Sequence, residues 1–199
     1  MSKIQVDGST VVTSEVRLSY VYLDKPRKSV NSDEERYSCM VIIPKSDTEL
    51  INALKQAIHN AVEVAKQRGK GDVSKGRNPL KDGDIHTNMQ GELLCEKAPE
   101  IKGCYIMNLS GSKQNKPRLY VKMDDKKMRP AENGDIYSGC YAQVYVNFYA
   151  YSKGAIGVGC GVRSVCKTRD GEPLGEAGMS DEDAFGTEVV AGTSGDEFM

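Results

Sequence analysis

Features that mark several common protein classes are missing from this chain of 199 residues. No run approaches the roughly 20 consecutive apolar residues that a membrane-spanning helix needs. Residues 1–12 also lack the apolar segment of a secretory signal. These absences predict a soluble protein without a membrane partner, acting in the cytoplasm, or in the host cytoplasm if the chain is phage-encoded.

Histidine is scarce and the cysteines are poorly placed for metal binding. The chain has 2 histidines and 6 cysteines, and no two cysteines have the C-x-x-C spacing of zinc and redox sites. Most of the cysteines lie inside apolar runs, where a reduced thiol behaves as a small apolar side chain. We therefore expect no cofactor and no structural metal.

Basic residues are absent after Arg169, where nine acids follow. Residues 1–169 hold all 27 lysines and arginines with the other 19 of the 28 acids, a net charge of +8. A basic body followed by an acidic segment is typical of proteins that bind a polyanion, although a solvating tail on an unrelated domain is the alternative. We predict a binding domain over residues 1–169 and an acidic, disordered interaction tail over residues 170–199.

Strand patterns dominate the body. Segments rich in Val, Thr and Tyr predict strands over 10–23, 36–43, 104–109, 118–123, 136–151 and 155–167, with a loop over 24–35 and a hairpin turn at 152–154. One helix is predicted, because Ser46 and Glu49 have capping-box spacing and apolar residues then recur at helical period until Gly69 ends the pattern. Residues 70–102 form a long insertion, either a functional flap or a mobile surface segment. Short strands with one helix predict a mainly β fold, a small curled sheet or barrel.

The segment Tyr141–Tyr151 alternates between two kinds of side chain. Alternate residues of a strand share a face. The apolar face carries Ala142, Val144, Val146, Phe148 and Ala150, and the opposite face carries Tyr141, Gln143, Tyr145, Asn147, Tyr149 and Tyr151. Tyrosine rings are stacking surfaces for nucleic-acid bases. The sequence therefore favours either a base-stacking platform or a face covered by the helix, the tail or a second subunit.

A second strand repeats this polarity with charge. Over residues 118–123, Leu119, Val121 and Met123 form the predicted core face, and Arg118, Tyr120 and Lys122 form the other. More cations flank the strand at Lys113, Lys116, Lys126, Lys127 and Arg129. An aromatic ring among cations suits single-stranded DNA, because phosphates attract the cations while bases stack on the ring. A basic surface without a ligand is the alternative.

The acidic tail carries a second set of candidate binding residues, which are Asp181, Glu182, Asp183, Asp196, Glu197 and Phe198. An acidic run with an aromatic residue is suited to a basic pocket on a partner protein, or to the DNA groove of the chain itself. A spacer with incidental acids is the alternative.

Catalytic motifs are weak. Asp82, Asp84 and His86 have a spacing that suits a metal-dependent nuclease, but Lys-Asp-Gly is also common turn chemistry. The glycines at 157, 159 and 161 do not form a phosphate loop, and we expect them to permit curvature or the close approach of another backbone. We therefore predict that the chain is not an enzyme.

Five segments carry a resemblance to a known family. They are VRLSYVYL (16–23), YSCMVIIPKSDTELI (37–51), NPLKDGD (78–84), YSGCYAQVYVNFYAY (137–151) and DGEPLG (170–175). Together they resemble phage-encoded single-stranded-DNA-binding proteins with an OB-fold and an acidic C-terminal tail, long catalogued as a domain of unknown function in phages of Gram-positive bacteria. The chain departs from the usual OB order in one respect, since its helix follows the second predicted strand and not the third.

The resemblance implies an OB-like five-stranded barrel with one capping helix, a long insertion loop and a disordered acidic tail. It also implies binding to single-stranded DNA without sequence preference, a role in phage DNA replication or recombination, and tail contacts with replication or recombination proteins. A homodimer is a further expected assembly. The alternatives are the metal-dependent nuclease, or a protein-only adaptor in which the tyrosine face is a subunit interface.

Overall fold

Ten strands and two helices make up the part of the chain that the computed structural model describes, residues 4–29, 32–88, 90–124 and 127–175. The strands are β1 (Gln5–Asp7), β2 (Thr10–Val12), β3 (Val16–Ser29), β4 (Ser32–Pro44), β5 (Leu80–Asp82), β6 (Cys104–Ser112), β7 (Arg118–Lys122), β8 (Met128–Pro130), β9 (Tyr141–Tyr151) and β10 (Gly157–Arg169). The helices are α1 (Thr48–Gln67) and α2 (Leu94–Lys97), and a 3-10 turn follows at Pro99–Ile101.

Five of these strands close into a barrel. β3 pairs with β4, β4 with β6 and β10 with β9, all antiparallel, and β9 returns to β3. The ring is completed by a parallel contact between β6 and β10, at Gly161 and Ser110. A five-stranded, partly open barrel of this kind is an OB-fold, which confirms the predicted fold class. α1 lies between the second and third barrel strands, which confirms the departure from the usual order.

The N-terminal strand predictions need correction. The strand predicted over residues 10–23 is two strands, β2 and β3. The regular pairing with β9 is interrupted at Thr13, where the side-chain Oγ1 and not the backbone carbonyl accepts from the Val144 amide, at 3.0 Å. The loop predicted over residues 24–35 is also wrong, because β3 and β4 continue as a long hairpin through it. Pro26 is tolerated there since it falls in the register shift between Tyr22 and Arg27, where a donor is not needed for the ladder.

α1 confirms the predicted helix but begins with a different cap. The Asp47 carboxylate, and not the predicted Ser46 hydroxyl, accepts from the Leu50 amide at 3.1 Å. Asp47 also accepts from the Ser14 hydroxyl at 2.8 Å, so the cap joins the helix to the chain before β3. At the other end Gly69 has a φ of 69°, and the amides of Gly69 and Lys70 donate to the last carbonyls, as in a Schellman motif.

The barrel interior and the buried stripe of α1 form one apolar core. The core includes the inward residues of β9 and three free cysteines, Cys39, Cys140 and Cys160. Burial raises the pKa of the Cys39 thiol to about 12 and raises that of Cys160 well above its ordinary value. These thiols therefore act as apolar side chains, as expected.

The insertion at residues 70–102 is packed against the barrel. β5 adds to β6, and Ala98 and Ile101 cover the outward side chains of Met40, Ile42 and Ile106 in a second apolar cluster. The outer face of β4 and β6 around these three side chains is therefore closed to solvent.

A lysine fixes the middle of the insertion to the end of β4. The Lys45 ammonium lies 2.7 Å from an Asp82 carboxylate oxygen and 2.8 Å from one of Asp84. The hydrogen bond from Lys45 holds the pKa of each aspartate below its ordinary value, and the bond to Asp82 raises the pKa of Lys45. Asp84 also accepts from the Gly103 amide at 2.7 Å. The cluster is thus a structural clamp.

Residues 170–175 continue along the body after β10. The Tyr137 hydroxyl is 2.9 Å from a carboxylate oxygen of Asp170, and the Leu174 amide donates to the Ser138 carbonyl at 2.8 Å. Leu174 packs on the second apolar cluster. The domain boundary predicted at residues 169 and 170 stays a prediction, but the packed chain extends at least to Gly175. Among the described residues, no helix is long and apolar enough to cross a membrane.

The cap of α1 gives a stability prediction. Asp47→Ala removes the acceptor for the Leu50 amide, so we expect the free energy of unfolding in urea to fall by about 1 kcal/mol, the usual effect of losing an N-cap. Ser46→Ala is the matched control and should leave it nearly unchanged. A larger loss in Ser46→Ala would show that the capping box predicted from sequence is the real cap.

The clamp gives a pH-dependent prediction. Depressed aspartate pKa values stabilise the fold above about pH 4 and lose this effect as pH falls, whereas the raised Lys45 pKa stabilises it below about pH 10. Lys45→Met should therefore lower the urea midpoint at pH 7, and the gap from the wild type should narrow at pH 3. Lys55→Met is the control, because Lys55 lies over the same Tyr105 ring at 5.8 Å, compared with 5.6 Å for Lys45. A gap of equal size at both pH values would contradict the clamp.

Candidate nucleic-acid interface

β9 has the two faces that its sequence predicts. Ala142, Val144, Val146 and Phe148 are buried, whereas the intervening side chains reach the surface to different extents. Tyr149 is the most open of them, with 42% of its surface exposed. The tyrosine side of the strand is therefore the outer face of the barrel.

The strand register brings the predicted residues of β7 and β9 onto one surface. β10 lies between them, so that Ser164 is paired with Tyr145 on one side and with Arg118 on the other. Cys166 likewise lies between Gln143 and Tyr120. Paired residues of neighbouring strands point to the same side of a sheet. The predicted binding residues of β7 and β9 consequently share one outer face. They are Arg118, Tyr120, Lys122, Tyr141, Tyr145, Tyr149 and Tyr151.

Two glycines of β10 make room for side chains of β9, which lie where the side chain of any other residue would be. A Cβ atom at Gly159 would lie 2.6 Å from the Tyr149 ring, and one at Gly161 would lie 2.7 Å from the Asn147 amide oxygen. The Tyr149 ring therefore lies directly against the backbone of the paired strand. Gly157 has the backbone of Arg77 equally close, at 2.6 Å, which confirms the predicted close approach of another backbone.

An open groove of about 840 Å³ begins at the Tyr149 ring. Its floor is a cross-strand row of small or polar residues, formed by Ser110, Gly161 and Asn147. The cations on its walls are Arg36, Lys116, Arg118 and Arg163. Among the described residues, its lining contains no carboxylate. The groove lies between the β3–β4 hairpin and the β9–β10 turn, the loops at which OB-folds bind oligonucleotides.

A neighbouring hollow continues the groove along the β3–β4 hairpin. It shares Arg36, Ser112 and Gln114 with the groove and adds Lys28 and Lys113. Acids are present here, because Lys113 is 2.6 Å from Glu35 and Arg36 is 2.6 Å from Glu34. The strongest unbalanced positive charge is therefore at the Tyr149 end.

The tyrosines of β9 differ in how open their rings are. The Arg163 guanidinium lies over one face of the Tyr145 ring, 5.5 Å from its centre, at the edge of the cation–π range. The Tyr141 ring is stacked by Arg169 at 3.3 Å and faces Arg17 at 5.8 Å. Tyr141 is thus covered by the chain at the end of β10. At Tyr141 the covering residue is Arg169 of β10, and the base-stacking platform stays a prediction for the rest of this face.

Arg169 is held over Tyr141 by a carboxylate. Its Nε donates to Glu15 at 2.8 Å, and this bond raises the pKa of Arg169. Partial burial pushes the pKa of Glu15 up, but hydrogen bonds from Thr168 and Arg169 outweigh it and leave it below the ordinary value. Tyr141 therefore belongs to a fixed network.

Other predicted cations lie outside the groove. Arg129 is on β8, beyond β7, and donates to both carboxylate oxygens of Asp135, at 2.7 and 3.1 Å. Lys127 is exposed beside it, and Lys126 lies outside the described residues. Met123, predicted in the core, is 67% exposed because β7 ends at Lys122. The tail residues Asp181, Glu182, Asp183, Asp196, Glu197 and Phe198 also lie outside the described residues.

Sequence reasoning missed two arginines of the groove. Arg163 comes two residues after Gly161, in the alternating series of glycines on β10. Alternate residues of a strand share a face, so the sequence could have predicted that Arg163 points outward with them. Arg36 opens the predicted second strand, where the face of a residue is hardest to assign. The neutral groove residues Gln114 and Asn115 lie in the turn before β7 and carried no signal.

The carboxylates of the nuclease alternative are already engaged. Asp82 and Asp84 flank Lys45, as described above, and the ring Nε2 of His86 is 3.4 Å from the Lys81 ammonium and not beside either aspartate. Over the described ranges no group of three or more His, Cys, Asp or Glu side chains is arranged to hold a metal ion. This geometry does not support a nuclease site.

Comparison with known proteins gives consistent matches. The family model described as Enterobacter phage Enc34, ssDNA-binding protein, matches residues 9–198. A protein of Acyrthosiphon pisum secondary endosymbiont phage 1, named putative protein p50, is 30% identical over 85% of this chain and 89% of its own length. The family thus includes a phage of a Gram-negative host.

Two solved structures share the fold. The single-stranded DNA-binding protein of bacteriophage Enc34, solved in complex with ssDNA, has a TM-score of 0.63 and 25% identity, covering 84% of this chain and 90% of that one. Gp2.5, a single-stranded DNA binding protein of bacteriophage T7, has a TM-score of 0.55 and 14% identity, covering 96% and 100%. The match over nearly all of its length shows that this chain belongs to the Enc34 family of phage single-stranded-DNA-binding proteins.

Proposed function

We propose that the chain binds single-stranded DNA without base-sequence preference, in the groove that begins at Tyr149. One observation carries this proposal. The Tyr149 ring packs against the backbone of Gly159 and lines a groove whose charged residues, among those described, are all cations. Family membership and the ssDNA complex of the Enc34 protein support the same ligand class.

Aromatic rings and cations have different roles in this proposal. Tyr149 in the groove, and Tyr145 beside it on the same face of β9, stack bases, and each stacked base contributes about 1–3 kcal/mol. Arg36, Lys116, Arg118 and Arg163 neutralise phosphates. Every base has a π-face and every nucleotide has a phosphate, so neither contact selects a sequence. Tyr120, Tyr151 and Lys122 extend the outer face on either side, whereas Tyr141 and Arg129 are structural.

The role follows from the ligand. A protein that coats single strands protects them during DNA replication and recombination. We propose that this chain has that role in phage DNA replication and recombination, and that it acts in the host cytoplasm. We also propose that the acidic tail contacts replication or recombination proteins through Asp181, Glu182, Asp183, Asp196, Glu197 and Phe198, and that the chain forms homodimers. A gel shift with oligo-dT and with duplex is the direct test. Binding of neither nucleic acid would favour a protein-only adaptor.

The groove predicts how affinity and its salt dependence change in variants. Tyr149→Ala should weaken oligo-dT binding about fivefold or more with an unchanged salt slope, because it removes a stack and no charge. Arg163→Ala should weaken binding and reduce the slope of log K against log salt by about 0.7, the value for one phosphate contact on a single strand. Fluorescence anisotropy of labelled oligo-dT at several salt concentrations measures both quantities.

Arg129→Ala is the matched control for Arg163→Ala, since Arg129 is committed to Asp135. It should leave both affinity and salt slope unchanged. Equal losses in the two arginine variants would mean that general positive charge, and not the groove, binds the strand. Thermal melting of each variant should confirm that the barrel is folded.

The tail predicts a second effect on binding. Removal of residues 176–199 takes away seven acids, and we expect affinity for oligo-dT to rise at low salt because an internal competitor for the cations is lost. The difference should shrink at high salt, where charge interactions are screened. The cut is placed after Gly175 so that the packed residues 170–175 remain.

The control for truncation is a full-length chain in which the same seven acids are changed to Asn or Gln. It should bind as tightly as the truncated chain, because charge and not length competes. Affinities that are equal for the wild type and both variants at low salt would rule out competition by the tail.

A further inference from the structure

A second cleft, of about 770 Å³, lies on the outer side of β3. Its aromatic residues are Tyr20 and Tyr22, and the insertion contributes Lys97 and Pro99 to the opposite wall. Leu174 and Gly175 close one end. The groove residues discussed above are on β4, β6, β7, β9 and β10 and in the turn before β7, and none of them lines this cleft, so the cleft is outside the proposed site.

The strand register joins this cleft to the groove. Tyr22 on β3 is paired with Ser38 on β4, and Ser38 is paired in turn with Ser110 on β6. Ser110 continues to Gly161 and Asn147, the groove floor. Neighbouring strands are about 4.8 Å apart, so the row from Asn147 to Tyr22 spans about 19 Å across the barrel. The residues of this row between Asn147 and Tyr22 are Gly161, Ser110 and Ser38, all small, and Tyr149 lies two residues beyond Asn147 on β9.

A β-bulge turns Tyr20 into the cleft. Ser19 is paired with Met40 and Tyr22 with Ser38, so Tyr20 and Val21 together oppose the single residue Cys39. Tyr20 has a φ of 48°, the left-handed region that a tyrosine rarely adopts, and its side chain is 49% exposed. Val21 packs on the core and its amide donates to the Ser138 hydroxyl at 3.1 Å. The bulge thus presents a ring to solvent at the expense of backbone strain, an arrangement common beside binding sites.

The charges of the cleft are balanced and already engaged. Arg17 donates to the backbone carbonyls of Gly139 and Glu172, at 3.3 and 2.8 Å, and Lys97 pairs with Glu92. Glu100 and Glu172 also line the cleft. Phosphates therefore gain little here, and the rings are the groups that offer binding energy. Tyr22 is the better anchored ring, because Arg27 donates to its hydroxyl at 2.6 Å and lies over one face of the ring, 4.8 Å from its centre. The opposite face of Tyr22 is therefore the one on which a base can stack, and the Tyr20 ring is the more open of the two.

We propose that Tyr20 and Tyr22 form a second base-stacking subsite, so that one DNA strand crosses the outer face from Tyr149 to the cleft on β3. This inference rests on the proposed function and extends it to a site that holds bases and not phosphates. Only a strand long enough to pass along the whole floor reaches the second subsite. Short strands are held by the groove alone.

The test uses the full-length chain and a series of oligo-dT lengths from about 4 to about 16 nucleotides, the range of site sizes for OB-folds. Tyr20→Gly is the informative variant, because glycine accepts the left-handed conformation and removes only the ring. Its melting temperature should equal or exceed that of the wild type. Tyr22→Leu, which keeps an apolar side chain, is the second variant, and Tyr149→Ala is the reference for the first subsite.

We expect Tyr20→Gly and Tyr22→Leu to match the wild type on the shortest oligonucleotides and to lose about fivefold or more in affinity on the longest. The salt slope should stay unchanged at every length. Tyr149→Ala should lose affinity at all lengths. If both β3 variants match the wild type at every length while Tyr149→Ala is weakened, the second subsite is wrong and the groove stands. If the wild type binds no oligonucleotide, both proposals fail.

Discussion

The antiparallel register between β9 and β10 is the constraint on which the outer face of the barrel depends. It places Tyr149 opposite Gly159 and Asn147 opposite Gly161, so that each side chain lies in the space a missing side chain leaves. A shift of one residue would turn the tyrosines inward and expose Val144 and Val146. The buried apolar face therefore enforces the position of the rings on the opposite side. The same pairing therefore specifies both the core packing and the position of the rings that we propose as the stacking surface.

Much of this arrangement could be predicted from the sequence, where a periodic signal was strong. The alternation along Tyr141–Tyr151 and the apolar stripe of α1 each repeat several times, and both are confirmed. The cap of α1 could not be predicted from spacing, because Asp47 was chosen over Ser46 by its contact with Ser14, more than 30 residues earlier in the chain. Register shifts could not be predicted either. Pro26 indicates a loop from sequence alone, and only the pairing around it shows that it lies in a register shift within β3.

The positive charge of residues 1–169 indicates an anionic ligand but does not show where that ligand binds. Lys45, Arg129 and Arg169 are each held by carboxylates, and their positive charge stabilises the fold. Arg118 and Arg163 are of the same residue types but lie in a groove without acids among its described lining residues. What distinguishes the two groups is the neighbours that folding supplies from distant parts of the chain. A net charge of +8 over the body contains both groups and does not separate them.

The packing of residues 170–175 has a consequence for the acidic segment that follows. Leu174 and Gly175 line the cleft of Tyr20 and Tyr22, so the remaining 24 residues are tethered at one end of the proposed DNA path. A tethered ligand acts at an effective concentration that its linker sets, and this concentration does not change when the protein is diluted. The self-competition that we propose for the tail would therefore be a property of each molecule separately, and dilution of the protein would not weaken it.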